Sequence, residues 1–401
     1  MTPVLAARTA VVVSFFLNGA TFATWVARLP EIKHDLDLTN GQLGTVLLAG
    51  SVASILGLTG AGALIERRGA ADAVRLGVIV EAAGLVGVAL GAVVFESAVG
   101  VAAGLFVWGL GMGLWDVSMN VEGAGVEHRM RRNVMPHFHA MFSLGTVAGA
   151  GVGALTVRLD VPMLGVLPVT AVLVLAAVFA TTGAFLPRDE EEVKHAVRGS
   201  VLAAWREPRT VLIGMMVLAL ALTEGAANDW LAIALVEGYD VAAWVGVAGF
   251  AVFVSAMTIG RLLGGRLLDR FGRAATLWGT MATAGVGVLL VVYGVHPVVV
   301  VAGILLWGIG ASLGFPVGMS AAADDQGRAP ARVGVVSTIG YVAFLSGPPL
   351  LGFLGDRVGA LHALLLISIL LIPSAFLVPA ARKPAGASGE VNGRRSAISG
   401  M

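Results

Sequence analysis

Stretches of about 20 apolar residues, each as long as a helix needs to cross a lipid bilayer, recur along this chain and are separated by short loops that hold most of its charge. That pattern points to lipid, not water, as the solvent around most of the fold. Charged residues are 13% and apolar residues 57% of the 401 positions, so the chain has about half the charge of an average soluble domain. Twelve runs are distinguishable, over 9–28, 41–64, 72–94, 98–120, 137–157, 162–186, 209–234, 243–264, 273–294, 298–321, 333–353 and 359–380. They predict an all-α membrane protein of 12 transmembrane helices. The first run is polar at Asn18, Thr21 and Thr24 and has no small-residue cleavage site, so it reads as a retained helix and not as a signal peptide.

Basic loops resist translocation, which sets the orientation. With both termini cytoplasmic, 21 of the 26 Lys and Arg fall inside, four fall outside (Arg28, Lys33, Arg158 and Arg357), and Arg261 lies within a helix. A missed helix would scramble the sides beyond it. Arginine outnumbers lysine 23 to 3, a composition that fits a GC-rich bacterial genome and a cytoplasmic (inner) membrane location. A net charge of +1 gives no basic field for nucleic acid. With no cysteine, disulfides, thiolate metal sites and thiol catalysis are excluded together.

No enzyme is expected. The chain lacks G-x-x-x-x-G-K-[ST] and H-E-x-x-H patterns. Gly109-x-Gly111-x-Gly113 lies in a span with no preceding strand, so it reads as close helix packing. His137 and His139 stand at i, i+2 on different helix faces without a third ligand, so no metal site is expected. No cofactor is expected either, and the partners reduce to a small-molecule substrate and the bilayer, with the chain acting as a monomer.

The sequence repeats itself at a separation near 200 residues. The stretch from Gly62 matches that from Gly265, Trp108 onward matches Trp307 onward, Ser143 onward resembles Thr338 onward, and the Trp25 end of the first run parallels the Trp230 end of the seventh. The expected organisation is an N-terminal six-helix bundle over 1–187, a cytoplasmic connector over 188–208 with the acidic run Asp189 to Glu192, a C-terminal six-helix bundle over 209–380, and a disordered tail over 381–401.

This plan resembles the major facilitator superfamily over nearly the whole chain. The resemblance is most specific in the loops after the second and eighth runs, where that superfamily has G-x-L-a-D-r-x-G-r. Here they read Gly62-Ala63-Leu64-Ile65-Glu66-Arg67-Arg68-Gly69 and Gly265-Arg266-Leu267-Leu268-Asp269-Arg270-Phe271-Gly272-Arg273. The first has Glu66 in place of Asp and lacks the final basic residue. The resemblance implies two pseudo-symmetric bundles and a cytoplasmic gate in which the acid reaches the N-terminus of a neighbouring helix, where an anion is favoured.

Ionisable groups at membrane depth are expensive and are functional candidates by default. Asp116 and Asn120 lie at i, i+4 in the fourth run, Glu81 in the third, Glu224 and Asp229 in the seventh, and Arg261 in the eighth. Asp116 and Asn120 resemble the Glu-x-x-x-Asn element of the fucose permease-like branch, whose acid is associated with proton coupling; that branch often has a further acid in helix one, absent here. Asp116 and Glu224 are therefore the proton-coupling candidates, and Glu224 is a possible mate for Arg261. Glu122 and Glu127 are expected to face water or to pair with Arg129 and Arg131.

Candidates for the substrate cavity are Asn18, Thr21, Trp25, Asn120, His139, Asn228, Asp229, Arg261 and Tyr341. Amides, carboxylates and an aromatic face suit a sugar-sized polar ligand. The competing reading is that the amides join helices and that Trp25 and Trp230 form an interface belt or a gate. The function implied is a secondary transporter using alternating access, proton-coupled for sugar or polyol uptake. Export of amphipathic drugs or metabolites is the alternative, and a membrane receptor that binds without transport is a remote one.

Overall fold

The computed structural model describes residues 2–132, 134–186, 201–324 and 328–382. The acidic run of the expected connector and residues 383–401 of the expected tail lie outside them. The described chain is helical: α1 Pro3–Val26, α2 Leu29–Asp35, α3 Asn40–Val93, α4 Ala98–Met130, α5 Met135–Arg158, α6 Met163–Thr182, α7 Val201–Trp205, α8 Pro208–Ala226, α9 Ala232–Tyr239, α10 Ala243–Tyr293, α11 Pro297–Ala311, α12 Gly314–Ala322, α13 Ala329–Val358, α14 Ala360–Ala363 and α15 Leu365–Ala375. Among these residues nine helical segments are long and apolar enough to cross a bilayer, with a shorter apolar one over Ala360–Ala375.

A straight helix of 54 residues would be roughly 80 Å long, far beyond the roughly 30 Å apolar layer. α3 instead folds back on itself. Gly50 on its first leg and Gly77 and Glu81 on its second all pack against α4 between Gly109 and Trp115. The reversal occurs at Gly69, with φ 83° and ψ 166°, a backbone region open essentially only to glycine. α10 repeats the device at Gly272, with φ 73° and ψ 169°; its legs flank α11 through Phe253 and Ala284. The last glycines of the two expected gate motifs, Gly69 and Gly272, are thus the hairpin turns of two double-length helices, and the sequence repeat is a structural repeat.

Close approach at glycine holds the helices together, because lipid supplies no hydrophobic drive between them. A Cβ on Gly84 would fall on the Trp108 backbone, one on Gly104 on Val88, and one on Gly145 on Phe16. Outward faces remain apolar: Val169, Val172 and Leu173 of α6 are more than half exposed, as suits side chains that face lipid. At the other extreme Arg28, read from the sequence as an outer-loop residue, is 1% exposed; it donates to Glu31 at 2.7 Å and to the Val161 carbonyl at 3.1 Å. Glu122 and Glu127 accept from backbone N–H groups, Glu122 from Leu186 and Glu127 from Val134 and Met135 at the start of α5. The carboxylate at that helix N-terminus complements its dipole.

Candidate functional site

Two local breaks shape the centre of the molecule. Pro316 has no N–H, so it cannot bond the Ser312 carbonyl four residues back, and the helix is interrupted between α11 and α12. The Arg261 Nε donates to that free carbonyl at 3.4 Å. In the second break, α8 passes into a π-helical turn, Ala227–Leu231, before α9. One extra residue per turn re-aims the side chains, and Asn228 and Asp229 face a cavity.

That cavity, of about 330 Å³, adjoins a larger one of about 900 Å³. Asp116, Phe142, Glu224, Tyr341 and Phe344 line both, so the two spaces meet at one ring of side chains contributed by α4, α5, α8 and α13. The larger space runs toward the arginine-rich end, past His139 to His137, Gly265 and Arg273. The smaller runs the opposite way, past Trp25, Trp108, Asn228 and Asp229.

At the shared ring the Arg261 Nη2 bonds both Glu224 oxygens at 2.9 Å, and the Nη1 reaches the Ser143 hydroxyl on α5 at 3.3 Å. Arg261 thus has the carboxylate mate expected of it. Asp116 faces the same space with a different environment. Its Oδ1 accepts from the Asn120 amide at 3.3 Å, and among the described residues no cation lies within ion-pair distance of it. One acid at the site is neutralised by arginine and the other is not.

Trp25, His139, Asn228, Asp229, Arg261 and Tyr341 line these cavities with Asp116 and Glu224. Asn18, Thr21 and Asn120 do not. α1 turns the Asn18 and Thr21 face inward, leaving the two residues at most 1% exposed, while Asn120 backs Asp116. Trp230 is buried outside both cavities, with its ring edge near Gly352, where the π-helical turn meets α13.

The ends of the molecule differ. Opposite the arginine-rich end, Lys33 on α2 pairs with Glu237 on α9, whose other oxygen accepts from Asn40 at 3.4 Å. The Arg158 guanidinium lies 5.0 Å above the Trp244 ring. The Asp356 Oδ2 accepts from the Gly41 N–H at 3.0 Å and the Thr39 hydroxyl at 3.2 Å, so a carboxylate caps the N-terminus of α3. At the arginine-rich end, Glu66, Arg67, Asp269 and Arg270 are exposed. Arg273 binds Asp324, which also takes Arg209, both at 2.7 Å. Among the described residues the acids expected to close this end, Glu66 and Asp269, form no ion pair and face outward.

Asp356 was not among the residues singled out from the sequence, although a signal for it exists. Gly352, Leu354, Asp356, Arg357 and Gly359 reproduce the spacing of Gly265, Leu267, Asp269, Arg270 and Gly272, and Gly359 has φ 84°. This third copy lies at the closed end and is engaged. Changing Asp356 to Ala, together with Lys33 to Ala, should raise labelling of a cysteine placed at Asn228 by an impermeant maleimide several-fold. The chain has no cysteine to label in the background, and equal labelling with and without the two changes would show that these contacts do not close this end.

A family model described as Major Facilitator Superfamily matches residues 11–326. The chain is 29% identical over 351 residues to an uncharacterized MFS-type transporter of Yersinia pestis, covering 86% of this chain and 87% of that one. Among solved structures, a mutant of the nucleoside transporter NupG superposes with a TM-score of 0.78 at 14% identity, over 94% of this chain and 99% of NupG. A bacterial homologue of the human lysosomal transporter Spinster, inward-facing and unoccupied, gives 0.77 at 12% identity, over 96% and 98%.

Proposed function

The chain belongs to the major facilitator superfamily and is a membrane transporter, and from that premise we propose that it takes up a small hydroxyl-rich molecule together with protons. The observation that carries this reading is the ring where the two cavities meet. Among the described residues Asp116 has no cation within ion-pair distance, which leaves it able to exchange a proton, whereas Glu224 is held by Arg261. Of the two acids first considered, Asp116 is therefore the proton carrier, and Glu224 with Arg261 anchors the substrate side. Carboxylate acceptors with guanidinium, amide and phenol donors around an aromatic-walled space of this size fit hydroxyl groups on a ring.

The arginine-rich end is read as cytoplasmic from the distribution of basic residues, which makes this conformation inward-open. Transport then follows when the two six-helix halves rock about the shared ring, the contacts of Lys33, Asn40 and Asp356 releasing as the gate loops close. Sugars, polyols and nucleosides form the substrate class to test. Export of amphipathic compounds is the second reading, favoured by the mainly apolar wall of Phe15, Phe142, Phe315 and Phe344.

The test is compound-triggered proton movement in proteoliposomes, using sugars, polyols, nucleosides and cationic drugs on wild type and Asp116→Asn. Inward proton flow driven by a hydroxyl-rich compound, reduced at least tenfold in the variant, is the expected result. Drug-driven exchange in the opposite sense would replace uptake by export. Proton flow undiminished in the variant would remove Asp116 from the role.

A further inference from the structure

One carboxyl group at membrane depth belongs to neither cavity. Glu81, on the second leg of α3, is 1% exposed, and neither of its oxygens has a hydrogen-bond partner. The Thr21 hydroxyl and the Trp108 indole face it without a well-formed hydrogen bond to either oxygen. The Thr21 hydroxyl is spent on the Leu17 and Asn18 carbonyls, and the Trp108 Nε1 is unpartnered. Asn18, one turn before Thr21, is 0% exposed with both amide atoms unpartnered. Buried polar groups in proteins are nearly always paired, so a layer of unmatched donors and acceptors between α1, α3 and α4 calls for an explanation.

The repeat shows that packing does not demand the acid. Gly111 meets the Glu81 backbone as Gly310 meets Ala284, and Gly84 meets Trp108 as Gly287 meets Trp307. The position equivalent to Glu81 in the second half is therefore Ala284. There the same helix crossing is built without a charge, and the Trp307 indole is satisfied by the Thr223 carbonyl at 3.0 Å. Glu81 is an addition to the fold of the first half.

Among the described residues nothing packed around this leg neutralises an ionised Glu81. α1 presents Asn18 and Thr21, and Arg28, between α1 and α2, is paired with Glu31. α4 presents Trp108, its acid Asp116 lying further along on the cavity side. α6 contains no titratable residue. An isolated carboxylate in such surroundings is prohibitively costly, so the group must hold a proton or a cation. The indole N–H offers a donor, which suits a carboxyl oxygen and opposes a metal cation.

We propose that Glu81 is a second proton-binding site of this transporter, occluded behind the Trp25 and Trp108 ring pair in the inward-open conformation and exchanged with water when α1 moves against α3 and α4. Loading forms one O–H bond to a Glu81 oxygen with a proton from hydronium, and release returns it to water. The inference rests on the proton-coupled reading above. Because the protonated form belongs to this conformation, acid favours inward-open, and raising the pH favours the conformation in which Glu81 meets water.

The experiment uses the full chain in lipid nanodiscs. Infrared spectra at pH 7 should show a protonated-carboxyl C=O band that Glu81→Gln removes and Asp116→Asn leaves; an unchanged band in Glu81→Gln overturns the proposal. Spin labels on cysteines at the exposed Ala124 and Ala275 report opening of the arginine-rich end. The open-to-closed ratio in wild type should fall with rising pH, by at most about tenfold per unit for one linked proton. It should be biased toward open with a shallower pH response in Glu81→Gln, and keep its response with a displaced midpoint in Glu81→Asp. An intact response in Glu81→Gln sinks the assignment even if Asp116→Asn silences proton flow. Absence of proton flow in wild type with every compound would instead strike the proton-coupled reading.

Discussion

Replacing Arg261 by alanine is expected to abolish transport and to lower the melting temperature of the purified protein by a few degrees. Arg261 touches three elements at once: both oxygens of Glu224 on α8, the Ser312 carbonyl that Pro316 leaves free, and the Ser143 hydroxyl on α5 in the other half. Removing one partner of a fully buried ion pair costs about 3–5 kcal/mol. Here the side chains are 27% and 17% exposed to a wet cavity, so screening reduces the expectation to about 2 kcal/mol. The double change Arg261→Met with Glu224→Met should regain most of the melting temperature while transport stays lost, because no charge is then stranded. If Arg261→Ala melted as wild type does and transported at more than a tenth of its rate, the pair would be peripheral.

Gly111→Leu should prevent accumulation of folded protein altogether. A Cβ at this position falls on the Glu81 backbone nitrogen and within 2.6 Å of the Gly77 carbonyl oxygen, atoms that cannot rotate aside. Gly111→Ala, with the same collision and no further bulk, should cost about 1–3 kcal/mol, the usual range for overpacking. Gly151→Ala is the control. Nothing lies within 4 Å of its Cβ position, and replacing a mid-helix glycine by alanine there should stabilise by about 0.5–1 kcal/mol. Monodisperse yield in detergent followed by thermal melting separates the three, and equal yields of Gly111→Leu and wild type would mean that α3 and α4 can move apart.

The apolar segments could be read from the sequence because a bilayer fixes the length of what crosses it, and the two hairpin turns because Gly69 and Gly272 sit in a repeated motif. The direction of each helix face was harder. In water a polar stripe marks the exposed side, but a helix in lipid is apolar nearly all round, so the stripe of Asn18, Thr21 and Trp25 did not tell whether it faced ligand or protein. Only Trp25 reaches a cavity. The π-helical turn at Asn228 and Asp229 leaves no composition signal, since it depends on how α8 and α9 are held at their ends. Arg261 and Glu224 were legible for the opposite reason: each is too costly at that depth to stand alone. The backbone contacts of Glu127 leave no mark in the sequence, because they arise where the chain bends back within eight residues and brings the start of α5 onto it.

The motif shared by Asp269 and Asp356 has an energetic consequence. If chemically alike clasps close opposite ends, a large part of what is lost on opening one end is recovered on closing the other, and the two conformations stand close in free energy. A protein biased 99 to 1 toward one conformation needs a ligand that discriminates by about 5.5 kcal/mol to reverse it; a nearly level pair needs far less. Such a chain could spend most of its binding energy on holding and choosing its cargo, and little on tipping the balance.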